Sequence, residues 1–289
     1  MGKTIRRCLW LIIAVTIAAA LPADGQKAPD AKIMIDRMQA ARVQHRQIPS
    51  LTQTHGAFSM QQAYRIQAAL AGQLVEMLGP VAGCKVAYAS KAAQEQFGIA
   101  EPARGPLFLS QRTPSASVLP AGLFNEITLE TEVAFTIGKR IDKPIKDVAE
   151  LKALVKWVHP AFDAGDSPFT ADAAKPNAQD MVAVGTGSHV FVLGPAVDPG
   201  EVDIDAVDLA LARNGETIRQ SPARNVMGSP WNSLLWCANH LVRSGQTLEP
   251  GMVVLCGTAA PAYKATGVDI KGNYVGDCGP LGKVALTVK

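Results

Sequence analysis

The sequence lacks the motifs of several common enzyme classes. Its 289 residues contain no G-x-S-x-G elbow and no P-loop, which argues against a serine hydrolase and a P-loop nucleotide enzyme. The glycines of GTGSHVFVLG precede a strand-like run, the wrong context for a dinucleotide-binding turn. The five histidines show neither HxxxH nor HxH spacing, so we expect them to be structural. Of these, His159 is near enough in sequence to Asp163 to support a ligand there.

Charge and cysteine are also scarce. The net charge is +3 and the basic residues form no stripe, so no nucleic acid partner is expected. Of five cysteines, Cys8 lies in an apolar N-terminal run, and the others match neither a CxxC metal site nor a dense disulfide framework. The four others have apolar neighbours and are interpreted as small buried side chains: Cys84, Cys237, Cys256 and Cys278. One disulfide among them is compatible with an oxidising compartment.

The N-terminus carries an export signature. MGKTIRR is basic, CLWLIIAVTIAAAL is apolar, and small residues follow. Because about 20 apolar residues are needed to span a bilayer, this run is short for a permanent anchor, although an uncleaved anchor remains the alternative. We expect residues 1–25 to be a signal peptide and the mature chain to be periplasmic or secreted, with no stable membrane anchor after cleavage.

The remaining chain is apolar enough for a globular protein, at 48% hydrophobic and 18% charged residues. Helices are predicted from Ile33 to Val43 and between Ser59, a possible N-cap, and Gly79. A short strand, a helix over 90–97 and a Gly/Pro-rich loop at EPARGPLF follow. We treat 26–120 as an N-terminal α/β portion.

Strand-like runs dominate 121–289, which we interpret as a β-rich portion of the chain. They include ITLETEVAFTIG, HVFVLGPAV and MVVLCGT, and ARNGET carries an Asn-Gly hairpin signal. One helix is expected in GSPWNSLLWCANHLVRSG, where Ser229 can cap, Pro230 suits the first turn and Gly245 ends the helix.

Two glutamates in ITLETEVAFTI are unusual for an apolar strand. Side chains alternate along a strand, so Glu130 and Glu132 share one face, about 7 Å apart. One interpretation is a half-exposed strand with solvated glutamates. The other is a site for a hard divalent cation, Mg²⁺ or Mn²⁺, which prefers oxygen ligands.

A third carboxylate occurs in WVHPAFDAGDSPF. Asp163 follows Phe162 at an apparent strand end and is ambiguous, whereas Asp166, before Ser-Pro, is interpreted as a turn or cap residue.

Several segments together resemble a known family. Four segments are concerned: GCKVAYASKAAQEQFGIAEPARGPLF, the Glu130/Glu132 strand, HPAFDAGDS and NSLLWCANHLVRSGQTLEPGMVVLCGT. Their order and character resemble those of the 2-keto-4-pentenoate hydratase group of the fumarylacetoacetate hydrolase superfamily. That group includes the related 4-oxalocrotonate decarboxylases. The resemblance runs from about residue 32 to the end.

The resemblance implies an α+β fold: a fumarylacetoacetate-hydrolase-like mixed β roll with a small N-terminal α/β portion. It also implies that residues 121–289 form the β-rich catalytic domain. It also implies Mg²⁺ or Mn²⁺ bound by Glu130, Glu132 and Asp163, the last where the family usually has glutamate. The expected partner is a small 2-oxo acid, chelated through its carboxylate and keto oxygens, and a homo-oligomer is expected.

Three other residues match family positions or lie beside them. Lys85 in GCKVA resembles a catalytic or substrate-orienting lysine, although a surface lysine is the alternative. Ser90 could bind substrate or simply cap a helix. Arg104 could bind a second carboxylate or be a solvated loop residue. Ala103 stands where family hydratases have an aspartate, so one proton-transfer group is missing.

Two hypotheses follow. The first is a metal-dependent lyase, most simply a hydratase that adds water to a 2-hydroxy-2,4-dienoate as in aromatic compound catabolism, with decarboxylation or C–C hydrolysis as close alternatives. The second is an exported, non-catalytic module that binds oxo acids. Lys85 favours the first and Ala103 the second.

Overall fold

The computed structural model describes residues 31–171 and 175–289. The predicted signal peptide, residues 1–25, lies outside these ranges. None of the described helices is long and apolar enough to cross a membrane. The seven α-helices of the described ranges are α1 (Ala31–Val43), α2 (Leu51–His55), α3 (Met60–Leu78), α4 (Lys91–Phe97), α5 (Val148–Lys152), α6 (Ala178–Ala183) and α7 (Pro230–Arg243).

Two sheets form the body of the protein. The described strands are β1 (Val81–Ala87), β2 (Ala103–Phe108), β3 (Arg112–Pro114), β4 (Ser117–Leu119), β5 (Glu126–Ile137), β6 (Val155–Asp166), β7 (Val190–Leu193), β8 (Asp208–Arg213), β9 (Glu216–Pro222), β10 (Val253–Thr258), β11 (Tyr263–Thr266), β12 (Gly272–Asp277) and β13 (Lys283–Val288). The larger sheet has the order β2-β1-β10-β5-β6-β7-β3, with β11 also paired to β5. The smaller has the order β4-β13-β12-β8-β9. The larger sheet includes strands from both sides of residue 120.

The long antiparallel pair of β5 and β6 is central to the larger sheet. Its register places Glu130 opposite Asp163 and Ala134 opposite His159. The face that carries these residues also carries a small apolar cluster that includes Leu107, Ala161 and Leu255. The opposite face of β1, β5 and β10 packs under α7 in the largest apolar cluster.

The predicted helix boundaries are confirmed where capping residues marked them. Ser59 and Gln62 form a capping box at the start of α3, and Gly79 ends it. Ser229 caps α7 by accepting a hydrogen bond from the Trp231 N–H, and Pro230 occupies the first turn. The Asn-Gly hairpin is also confirmed.

Two predictions of local structure were wrong. EPARGPLF is not a loop throughout, because Ala103–Phe108 forms β2 at the edge of the larger sheet, where Pro106 needs no N–H for a second neighbour. Asp163 is not at a strand end, because β6 continues to Asp166. Asp163 is therefore held within a paired ladder.

Candidate metal centre

Three carboxylates converge on one face of the β5–β6 pair. Glu130 and Asp163 are directly opposite, and Glu132 is two residues further along β5, on the same face. One oxygen from each of the three lies within 4.8 Å of the others. This spacing allows a single cation to contact all three side chains.

Two of the three carboxylates are buried and incompletely hydrogen-bonded, whereas Glu130 is partly exposed. Glu132 is 0% exposed and Asp163 is 1% exposed. Glu132 Oε1 and Asp163 Oδ1 have no hydrogen-bond partner. Because a buried carboxylate oxygen without a partner is costly, these atoms fit the donor set of a hard divalent cation such as Mg²⁺ or Mn²⁺. The predicted alternative of glutamates in water does not describe Glu132.

A bulge in β10 holds the other oxygen of Glu132. The backbone N–H of Gly257 donates to Glu132 Oε2 at 2.6 Å. Gly257 lies where the β10–β5 register shifts, with φ of 89°. A Cβ at this position would lie 2.6 Å from the Ala89 Cβ. Glycine is therefore required both for the turn of the backbone and for the close approach of the segment that follows β1.

Lys85 supplies the positive charge of the site. It extends from β1 on the same face, is 5% exposed, and pairs with Asp163 Oδ2. Burial alone would lower the pKa of Lys85, but the carboxylates of Asp163, Glu130 and Glu132 outweigh it and raise that pKa. The amine is therefore protonated at neutral pH in the metal-free site, and the surface-lysine alternative does not hold.

One lysine does not balance three carboxylates. Burial and then the charge of Asp163 raise the pKa of Glu130 to about 7, although Lys85 partly opposes this. The same two causes raise the pKa of Glu132 well above its ordinary value. A site that retains excess negative charge in a buried setting favours either protons or a cation.

Neighbouring residues that resemble ligands in the sequence have other roles. Asp166 accepts hydrogen bonds from the backbone of Asn125 and Glu126, as its interpretation as a turn residue requires. His159 contacts Thr136 and the Gly194 carbonyl with its two ring nitrogens. It therefore does not support Asp163.

In the described part of the chain, neither Ser90 nor Arg104 makes a hydrogen bond or ion pair with the three carboxylates. Ser90 caps α4 by accepting from the Ala93 N–H at 3.2 Å. Arg104 is paired with Val86, so it lies on the sheet face opposite Lys85, and it donates to His240 Nδ1 at 2.9 Å. Arg104 is buried, not solvated. Substrate binding by either residue remains a prediction.

Ala103 occupies the position at which the family resemblance predicts an aspartate. Ala103 lies in β2 and pairs with Ala87 of β1. It is on the same face of the sheet as Lys85 and is 1% exposed. A methyl group there transfers no proton.

Comparisons with known proteins agree with this architecture. The family described as fumarylacetoacetate (FAA) hydrolase C-terminal matches residues 81–278. The 2-keto-4-pentenoate hydratase of Paraburkholderia xenovorans (strain LB400) is 26% identical over 257 residues, covering 89% of this chain and 93% of that protein.

Two solved structures are similar in fold. The 4-oxalocrotonate decarboxylase from Pseudomonas putida G7, complexed with magnesium and adipate, superposes with a TM-score of 0.83 at 20% identity, over 90% of this chain and 97% of that one. The fumarylpyruvate hydrolase from Pseudomonas aeruginosa, in complex with Mn²⁺ and pyruvate, gives a TM-score of 0.54 at 17% identity, over 71% and 88%.

The fold and the buried acidic triad define an α+β protein of the fumarylacetoacetate-hydrolase-like type, as predicted. The chain belongs to the fumarylacetoacetate (FAA) hydrolase C-terminal family. Its curated relatives include 2-keto-4-pentenoate hydratases, and its structural neighbours include a decarboxylase and a hydrolase. Sequence reasoning missed Gly257, for which the only signal was a glycine directly after the apolar run VVLC.

Proposed function

We propose that this protein is a divalent-metal-dependent lyase acting on a small 2-oxo acid, most simply a hydratase that adds water to a 2-hydroxy-2,4-dienoate. The observation that carries the proposal is the triad of Glu130, Glu132 and Asp163, in which Glu132 and Asp163 are buried and each has an oxygen without a hydrogen-bond partner. The hydratase relatives and the magnesium and Mn²⁺ complexes of the structural neighbours support it.

The three carboxylates would hold Mg²⁺ or Mn²⁺. When bound, such a cation polarises a coordinated keto oxygen and stabilises negative charge that develops beside it. The Gly257 N–H fixes Glu132, and the β5–β6 ladder fixes Glu130 against Asp163. The protein thus contributes a donor set whose geometry is fixed by the backbone.

Lys85 is the group that would transfer a proton. Its raised pKa depends on the neighbouring carboxylates, so neutralising them leaves burial as the dominant effect and lowers the pKa of the amine. The ammonium can donate from Nζ to a substrate carbon or oxygen, and the neutral amine can then accept a proton. Asp163 keeps Nζ pointed into the site.

A binding module without turnover is the second candidate, and Ala103 is the observation that favours it. With alanine at this position, Lys85 has no acidic partner from β2. Decarboxylation or C–C hydrolysis, as alternatives within the same family, would use the same three carboxylates and differ in the substrate.

Steady-state turnover of 2-hydroxypenta-2,4-dienoate with Mg²⁺ or Mn²⁺ tests the proposal, beside a calorimetric titration of the same compound. The hydratase predicts turnover that stops when the metal is chelated and returns when it is restored. Binding without turnover would support the module, and neither binding nor turnover would reject both.

The site of action is proposed to be outside the cytoplasm, on the strength of the N-terminal pattern alone. Expression of the full chain in a Gram-negative host, followed by fractionation, should give a periplasmic or secreted protein shortened by about 25 residues. Intact, cytoplasmic protein would contradict export.

A further inference from the structure

Two buried cysteines face each other behind the candidate metal centre. Cys84 lies in β1 and Cys237 in α7, and both are free thiols. Their Sγ atoms are 2.6 Å apart. A disulfide needs about 2.05 Å between sulfur atoms, so a shift of about half an ångström would join them. No other sulfur pair in the described part of the chain makes such a contact.

The two thiols lie in a largely apolar environment, with Cys256 and Arg104 as the other ionisable groups that act on Cys237. Cys84 is 2% exposed and Cys237 0%, within the apolar cluster beneath α7. Burial raises the pKa of Cys237 well above its ordinary value, so the folded thiol is protonated and unreactive. Neither sulfur touches the carboxylates or any candidate ligand.

We propose that Cys84 and Cys237 form a structural disulfide when the chain folds in an oxidising environment, joining the strand that carries Lys85 to α7. The predicted export would supply that environment. The bond would span 153 residues of sequence, so it would restrict the unfolded chain strongly.

The chemistry is ordinary thiol–disulfide exchange with a low-molecular-weight disulfide such as oxidised glutathione. One cysteine thiolate attacks it and releases one glutathione thiolate. The second cysteine thiolate then attacks the mixed disulfide and releases the other. Two protein thiols are oxidised and one glutathione disulfide is reduced to two thiols. Because both cysteines are buried in the folded protein, the exchange takes place before folding is complete.

The test is to refold the full chain from denaturant either with a mixture of reduced and oxidised glutathione or with reductant only. Each sample is then unfolded, its free thiols are alkylated, and its peptides are mapped. After oxidative refolding, the Cys84 and Cys237 peptides should appear as one linked species that separates on reduction, while Cys256 and Cys278 are alkylated. Recovery of Cys84 and Cys237 as alkylated thiols would overturn the proposal.

A stability comparison gives a second readout that is independent of catalysis. The oxidised wild type should unfold at a temperature higher than the reduced protein by on the order of 5–10 °C. C84A and C237A should abolish this difference, whatever their own stability. C278A is the matched control, because Cys278 is equally buried in the same cluster, and it should keep the difference. Loss of the difference in C278A, or its retention in C84A, would contradict the proposed pairing.

Discussion

At the scale of single residues, Lys85 controls the charge balance of the site. It is the one cation paired with the triad among the described residues, and it is bound to the carboxylate that the sequence left ambiguous. The motif GCKVA indicated a functional lysine, and the strand ITLETEVAFTI indicated two of the three carboxylates. Their convergence could not be derived from sequence patterns, because it depends on β10 lying between β1 and β5.

Replacing Lys85 with methionine keeps the length of the side chain and removes its charge. We expect turnover to fall by about 100-fold or more, since the proton-transfer group is lost. Metal-free protein should lose about 3–5 kcal/mol of unfolding free energy, because Asp163 is left buried and unpaired. Bound Mn²⁺ should restore much of this. Turnover assays and urea titrations measure both effects.

Lys283→Met is the matched control for that substitution. Lys283 is exposed and its surface ion pair with Asp277, at 2.8 Å, involves no carboxylate of the triad, so its removal should leave turnover and stability nearly unchanged. Full activity in K85M, or an equal loss in both variants, would contradict the role given to Lys85.

At the scale of elements, the site depends on irregular features of regular strands. The bulge at Gly257 points a backbone N–H at Glu132, and the full length of β6 places Asp163 within a ladder. Capped helices and the Asn-Gly turn were predictable because local chemistry determines them. The edge strand β2 was not, because its Gly105 and Pro106 are typical of loops and only the pairing with β1 makes them part of a sheet.

Gly257→Ala tests the bulge. We expect a loss of about 1–3 kcal/mol in unfolding free energy from the positive φ and the contact with Ala89, together with weaker metal binding. Gly251→Ala is the control, because Gly251 has φ of 90° but no atom within 4 Å of an added Cβ. Gly251→Ala should lose unfolding free energy because of the positive φ, but it should keep the metal affinity of the wild type. Equal metal affinity in the two variants would argue against the role of the Gly257 N–H.

At the scale of the whole molecule, the buried charges link stability to pH and metal. Between the ordinary pKa of a carboxyl group and about 7, folded Glu130 holds a proton that the unfolded chain releases. This residue therefore makes metal-free protein less stable as the pH rises through that window. Burial lowers the pKa of His159, His189 and His240. Because the unfolded chain then binds protons more readily at these histidines, they make the protein more stable as the pH rises through the range between the lowered and the ordinary pKa.

The contribution of Glu130 is therefore isolated by comparing wild type with Glu130→Gln. In chelator, thermal unfolding from about pH 5 to 8 should show that the variant gains stability relative to wild type as the pH rises. Saturating Mn²⁺ should stabilise wild type most at the high end of this range, where protons compete least. A constant difference between the two proteins across the range would contradict the proposed protonation of Glu130.

The central claim is that the buried triad binds a divalent cation, and calorimetric titration of Mn²⁺ into chelator-treated protein tests it most directly. Glu132→Gln keeps an oxygen for the Gly257 N–H but removes the ligand charge, and Glu126→Gln makes the same chemical change on the same strand, outside the triad. The account predicts one ion per chain for wild type and Glu126→Gln, and affinity lower by at least about 10-fold for Glu132→Gln. Equal binding by all three proteins, or none by wild type, would contradict it.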